Sequence, residues 1–285
     1  MVHVKLLRYG AKGAERPGIL DAGGKIRDLS SLVSDISPDV LGVASLNRLR
    51  SVDPNTLPAV DGPQRYGAPL TGIGKMLCVG LNYADHAAEA GLEIPSAPVL
   101  FMKATTAIGG PDDNILIPRG SVKTDWEVEL GVVIGEVARD VPREHALDYV
   151  AGYLIVNDLS EREFQLEHGG QWVKGKSCDS FGPIGPWLVT RDEIADVQSL
   201  AMRLEVNGRR FQSSSTRSMV FGVAHLVSYI SRYMTLMPGD VISTGTPPGV
   251  GLGQKPPVYL KPGDVVTLAI EGLGSQRQNV TGERF

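Results

Sequence analysis

The sequence predicts a β-rich α+β fold, on two observations. Its 34 glycines and 19 prolines exceed the ordinary combined share of about 12 % and are scattered singly, as turns between short strands require. Between them lie many short apolar runs and no sustained long-helix pattern, which argues against a helical bundle. At 285 residues, 42 % hydrophobic and 21 % charged, the chain can bury a large core as one big domain or two smaller ones, which excludes disorder as a description of the whole. A formal charge of −4 gives no electrostatic reason to expect nucleic acid as a partner. Cys78 and Cys178 have no neighbouring cysteine for a metal or redox pair, so both read as reduced thiols of a cytoplasmic protein. The N-terminus lacks a signal-peptide core, and no run approaches the ~20 apolar residues of a membrane span.

Residues 2–8 and 17–28 read as short strands, with Gly23-Gly24 as a turn, and 38–51 reads as helix. The stretch 51–74 carries four prolines and no period, so it is either a linker or an extended crossover. A boundary near residue 72 then divides a small N-terminal domain, 1–71, from a β-rich domain, 72–285. The second is marked by runs such as KMLCVGL, PVLFMK, WEVELGVVIG, YVAGYLIVND and DVVTLAI. Val206-Asn207-Gly208-Arg209 is a hairpin signal, and two PGDV segments each set a Pro-Gly turn before a strand. Helical interludes fit at 83–90, 142–148, 160–168, where Ser160 to Glu163 forms a candidate capping box, and 219–233.

The richest segment is DWEVELGVVIG, 125–135. On a strand its alternation places Glu127 and Glu129 on one face, ~6.6 Å apart, where they repel unless water, a base or a cation neutralises them. A solvated outer face fits the alternation equally well. The next apolar run ends in Asn157-Asp158, and a third carboxylate at a strand end can join the pair. Three carboxylates suit a hard divalent ion, Mg²⁺ or Mn²⁺, better than zinc, for which no His or Cys cluster exists.

In GLNYADHAAEAG, 80–91, Asn82 is a candidate helix cap, and His86 and Glu89 stand three apart on one helix face. A carboxylate that orients an imidazole makes it a base able to activate water, although an ordinary surface pair has the same spacing. Lys103, Arg162, Gln165 and Lys176 are the polar candidates in neighbouring segments, and a buried lysine beside a metal could bind a developing oxyanion. The GVGLG run at 249–253 lacks the order of a phosphate loop and is assigned to turns. Gly169-Gly170 gives the segment 162–175 a hinge, as a lid requires.

Together these segments resemble the fumarylacetoacetate hydrolase family over roughly residues 72–281: GLNYADHAAE, the E-x-E of Glu127 and Glu129, Asp158 followed by Ser160 to Gln165, GKS at 175–177 and STGTPPGVG at 243–251. The resemblance implies a mixed β-sandwich roll, a divalent metal (Mg²⁺, or Mn²⁺) and a homodimer. It makes Glu127, Glu129 and Asp158 the metal ligands, His86 with Glu89 the water-activating dyad and Lys176 the oxyanion-stabilising group. Lys103, Arg162, Gln165 and Thr246 match positions that shape the substrate pocket. Asn82 stands where the larger members have another acidic ligand, so the site looks like the three-carboxylate variety that favours small 2-oxo acids.

The N-terminal segment and KTDWEVELGVVIG also look like a bacterial subgroup often labelled ureidoglycolate lyase, whose close relatives hydrolyse 2,4-diketo-3-deoxy sugar acids. The expected reaction is hydrolysis of the C3–C4 bond of 2,4-diketo-3-deoxy-L-rhamnonate or L-fuconate to pyruvate and lactate. Ureidoglycolate lysis, or isomerisation or decarboxylation of a 2-oxo acid, would use the same site. A binding protein that retains the fold without turnover is the remaining alternative.

Overall fold

The computed structural model describes residues 4–89 and 93–282, with 86–88 described by their backbone alone. The large sheet runs, edge to edge, β3 (Ile26–Asp28), β2 (Arg16–Leu20), β1 (Lys5–Tyr9), β12 (Gly182–Thr190), β10 (Val150–Asn157), β9 (Val128–Ile134), β15 (Val241–Ser243), β4 (Met76–Gly80) and β5 (Val99–Lys103), with β6 (Ile108–Gly109) parallel to β12. A second sheet has the order β14 (Arg209–Ser215), β13 (Ala201–Val206), β16 (Val265–Ile270), β17 (Gly274–Gly282) and β7 (Ile115–Ile117). A short pair joins β8 (Thr124–Asp125) to β11 (Ser160–Glu161). The β-rich α+β expectation holds.

Every residue of β9 and β10 is buried, as their nearly unbroken apolar sequences demand of strands covered on both faces. Their alternation divides the core. Val128, Leu130, Val132, Tyr153 and Ile155 point into a cluster shared with Leu204, Leu268 and helix α5 (Val223–Ser231). Val133, Leu154 and Val156 point the other way, onto Leu6, Ile19, Leu29 and helix α1 (Val43–Arg50). Residue 72 therefore marks no break in the large sheet, because β1 pairs with β12 and residues from 4–71 cover one face of the central strands. The proline-rich stretch is a crossover, bridging from Ala59 to Arg27 and from Tyr66 to Tyr9.

The hairpin signal is realised between β13 and β14, where Asn207 and Gly208 both have positive φ, as a type I′ turn requires. Both Pro-Gly turns share one device: Asp240 accepts from the Met237 N–H, and Asp264 from the Lys261 N–H. Two local expectations need correction. Helix α3 (Arg162–Leu166) is capped by the Glu161 side chain, which accepts from the Glu163 N–H, because Ser160 is held extended in β11 opposite Asp125. Asn82 precedes helix α2 (Ala84–Glu89), but its side chain makes tertiary bonds: Nδ2 donates to the carbonyls of Phe221 (3.0 Å) and Thr244 (2.7 Å), and Oδ1 accepts from the Phe221 N–H (2.8 Å). Among the described residues no helix is long and apolar enough to cross a membrane.

Strand direction sets the site. β15 is parallel to β4, and both are reached from β9, which is antiparallel to β15 and to β10. The carboxyl ends of β4, β10 and β15 and the amino end of β9 consequently meet at one rim of the sheet. Asn82 ties the segment leaving β4 to the one leaving β15 there. Asn82→Ala should lower the unfolding free energy by about 2–4 kcal/mol, since it strands a buried N–H and weakens two buried carbonyls; chemical denaturation measures it, and a loss below about 0.5 kcal/mol would contradict this role.

Candidate metal centre and active site

At that rim the β9–β10 ladder continues one step further, the Asp158 N–H donating to the Glu127 carbonyl at 2.9 Å. Glu129 lies two residues on, opposite Val156. Glu127, Glu129 and Asp158 are all buried, and each offers an oxygen within 4.8 Å of the others. The solvated-face reading of the two glutamates is thereby overturned. The Ser-Thr-Gly-Thr run after β15 secures the arrangement: Ser243 Oγ and the Gly245 N–H donate to Glu129 Oε2 at 2.6 and 2.8 Å. Thr244 and Thr246 donate to the carbonyls of Leu130 and Val128.

Three buried cations answer these charges. Lys176, on helix α4 (Val173–Lys176), reaches Glu127 Oε2 at 2.7 Å and Asp158 Oδ2 at 2.8 Å. Burial alone would favour its neutral form, yet the carboxylates of Asp158 and Glu127 outweigh that and hold it firmly protonated. Arg162 donates to Asp125 Oδ2, Glu127 Oε1 and Gln165 Oε1, and is likewise held charged by its two carboxylates against the effect of burial. Lys103 bonds Asp158 Oδ1 and the Leu159 carbonyl. It supports Asp158 and does not line the cavity, whereas Arg162, Gln165, Lys176 and Thr246 do.

The donor set fits a hard divalent ion. Four buried carboxylates, Asp125, Glu127, Glu129 and Asp158, face three buried cations, so with every group ionised the cluster carries one excess negative charge. Glu129 takes both of its hydrogen bonds on Oε2, leaving Oε1 without one among the described residues. Burial first, then Asp158 and Glu127, raise its carboxyl well above the ordinary glutamate range, as expected of a ligand awaiting a cation. With oxygen donors only, the ion would be Mg²⁺ or Mn²⁺ in type, not zinc.

Glu127 and Glu129 of the triad border a cavity of about 440 Å³. Phe101 and Trp172 form part of its apolar wall, packed edge to face with ring centroids 5.3 Å apart. Glu89 also lines it, accepting from the Gly249 N–H with both oxygens, at 3.0 and 3.1 Å. His86 lies one turn earlier on α2, and its side chain falls outside the described residues. Two contributors escaped the sequence reading. Asp125 extends the acidic alternation to D-x-E-x-E, a signal that could have found it. The 249–253 glycine run, read as turns, forms part of the cavity wall through Val250, Leu252 and Gly253.

Residues 75–281 match the family described as fumarylacetoacetate (FAA) hydrolase C-terminal. A Burkholderia multivorans protein, named as a hydrolase with no substrate, is 64 % identical over 276 residues, covering 96 % of this chain and 98 % of that one. The solved fumarylacetoacetate hydrolase of Exiguobacterium antarcticum is 39 % identical with a TM-score of 0.87, covering 98 % of this chain and 100 % of that one. The maleylpyruvate hydrolase of Sphingobium sp. SYK-6, solved with manganese (II) ion and pyruvate, is 27 % identical with a TM-score of 0.82 over the same shares.

Proton and metal should compete for Glu129. A raised carboxyl contributes stability that is full below its unfolded-state value and is lost as pH rises through its folded value, so the metal-free protein loses this contribution as pH rises above the ordinary glutamate range. Metal binding requires the carboxylate and grows over the same window. Mg²⁺ or Mn²⁺ should therefore raise Tm, measured against EDTA, more at about pH 8 than at about pH 5.5; an equal or reversed gain would contradict this assignment.

Proposed function

The chain belongs to the fumarylacetoacetate hydrolase family, and from that premise we propose that it is a divalent-metal-dependent hydrolase cleaving the C3–C4 bond of a 2,4-diketo acid. Mg²⁺ is the proposed ion, with Mn²⁺ able to replace it, and the proposed substrate is 2,4-diketo-3-deoxy-L-rhamnonate, which is the same compound as its L-fuconate counterpart because only C5 remains stereogenic. The observation that carries the reading is the buried triad of Glu127, Glu129 and Asp158, whose two glutamates line a cavity that Glu89 also lines. A dication there turns the excess charge of the cluster from one negative to one positive, which suits an anionic 2-oxo acid.

A divalent ion held by the triad would supply electrophilic polarisation to the carboxylate and 2-oxo group of the substrate. The chain supplies the rest. Glu89, fixed by the Gly249 N–H, orients His86, which takes a proton from water as its oxygen adds to C4. Lys176, kept cationic by Glu127 and Asp158, stabilises the oxyanion that forms on the C4 carbonyl oxygen. The carbonyl reforms, C3–C4 breaks, and its electron pair stays on C3 as the enolate of pyruvate. The imidazolium returns the proton to C3, giving pyruvate and, from the six-carbon substrate, lactate. Phe101 and Trp172 would cover the substrate tail and exclude bulk water.

Pyruvate release from this diketo acid, measured with Mg²⁺ or EDTA beside urea release from ureidoglycolate, tests the reaction. Fast, EDTA-sensitive pyruvate formation is expected; urea release without pyruvate would replace hydrolysis by lyase chemistry at the same site. Lys176→Met should lower kcat by about 10²–10³-fold, and undiminished turnover would remove Lys176 from the oxyanion role. Trp172 belongs to the 162–175 segment, whose Gly169 and Gly170 both have positive φ. Added oxalate and Mg²⁺ should slow hydrogen exchange across 162–175, and unchanged exchange would contradict closure of this segment.

A further inference from the structure

We infer that Asp125 is a positioning residue that clamps the 249–253 glycine loop to the metal side of the site and so holds Glu89, the loop's other partner, in register with the triad. The inference rests on the hydrolase reading for its effect on turnover, but the clamp itself is a matter of geometry.

Asp125 is fully buried at the end of β8, two residues before the first triad carboxylate. Oδ1 accepts from the Gly251 N–H at 2.6 Å and the Trp126 N–H at 2.8 Å; Oδ2 accepts from the Leu252 N–H at 2.9 Å and Arg162 Nε at 2.8 Å. All four bonds come from donors. Two belong to the loop, and one to the guanidinium that also grips Glu127. The loop in turn offers the Gly249 N–H to Glu89, and the indole of Trp126 donates to the Gly249 carbonyl at 3.1 Å. A continuous chain of hydrogen bonds thus runs from the metal triad through Arg162 and Asp125 to the carboxylate of the dyad.

The fit is tight at both ends of the loop. A Cβ on Gly251 would lie 2.0 Å from the Val258 carbonyl oxygen and 2.7 Å from Asp125 Oδ1. One on Gly253 would lie 2.3 Å from Glu89 Cδ. The glycines let the backbone close on two carboxylates at once, a reason for GVGLG that turn formation does not supply. Asp125 does not line the cavity, so its influence on turnover passes through the groups it holds.

An asparagine at 125 would set an NH₂ group against donors that now meet a carboxylate oxygen, and release part of the clamp. Asp125→Asn should lower kcat about ten- to a hundredfold while KM changes less than about threefold. Mn²⁺ affinity, followed by electron paramagnetic resonance, should fall by about tenfold at most, as the cluster gives up one formal negative charge, and binding should persist. Because Asp125 acts through Glu89, the double variant with Glu89→Gln should be no slower than Glu89→Gln alone; multiplied losses, or loss of Mn²⁺ binding together with turnover, would overturn the inference. Hydrogen exchange at Gly249, Gly251 and Leu252 decides the clamp without substrate: acceleration in Asp125→Asn is expected, and unchanged exchange overturns it. That arm stands even if the wild type releases no pyruvate, an outcome that would refute the hydrolase reading alone. Should Asp125→Asn not fold, Trp126→Phe removes the indole anchor of the same loop and should show the same non-additivity with Glu89→Gln, with additivity again counting against the clamp.

Discussion

The structure turns on the burial of like charges. Three carboxylate oxygens within 4.8 Å of one another repel, pair by pair, by on the order of 3 kcal/mol at an effective dielectric near 20. Summed over the three pairs this rivals the whole stability of a typical domain, about 5–15 kcal/mol. The chain does not avoid the repulsion by exposing the groups. It surrounds them with Lys103, Arg162 and Lys176, all buried, and with the donors of Ser243 and Gly245. The compensation stops one charge short, and the position that remains under-compensated is Glu129, which also has the carboxyl raised by its surroundings. Buried ion pairs are weak stabilisers in general. Here the arrangement makes sense as a site held ready for a cation.

The two-sided large sheet serves that constraint. Carboxylates at a sheet rim stay buried only if both faces of the central strands are covered, and the two core clusters do this: the five-stranded sheet and α5 on one side, the N-terminal segment on the other. Residues 4–71 carry none of the site groups described above, yet they pack on Val133, Leu154 and Val156, interleaved in β9 and β10 with the residues that lead to the triad. Their packing covers that face of β9 and β10.

Family resemblance and physical reading converge at different depths. The β-rich fold, the E-x-E pair, the strand-end aspartate, the hairpin at 206–209 and the helix carrying His86 and Glu89 were legible because each is a local pattern: an alternation, a turn residue or a helical spacing. Solvation of the glutamate face was not legible, because alternation reports that a strand has two faces and not what covers each. Asn82 looked like a helix cap because the local rule sees only the next few residues, whereas its partners Phe221 and Thr244 lie far along the chain. Ser160 lost its capping role to Glu161 for the same reason, since its pairing with Asp125 crosses 35 positions of sequence.

The sequence by itself determined the residue types of this site and their spacing: carboxylates two apart at the start of a strand, a histidine and a glutamate three apart on a helix, a lysine near a glycine. These follow from backbone periodicity, which acts over a few residues. Only the tertiary structure decided that Glu127, Glu129 and Asp158 converge, that Lys103 stands behind Asp158 instead of in the cavity, and that the glycine loop closes on both Asp125 and Glu89. Those relations depend on which strands pair and in which direction, and pairing is set by the burial of two apolar faces over the whole chain. Charge neutralisation in the interior is likewise a sum over groups distant in sequence, so it appears only once the fold has brought them together.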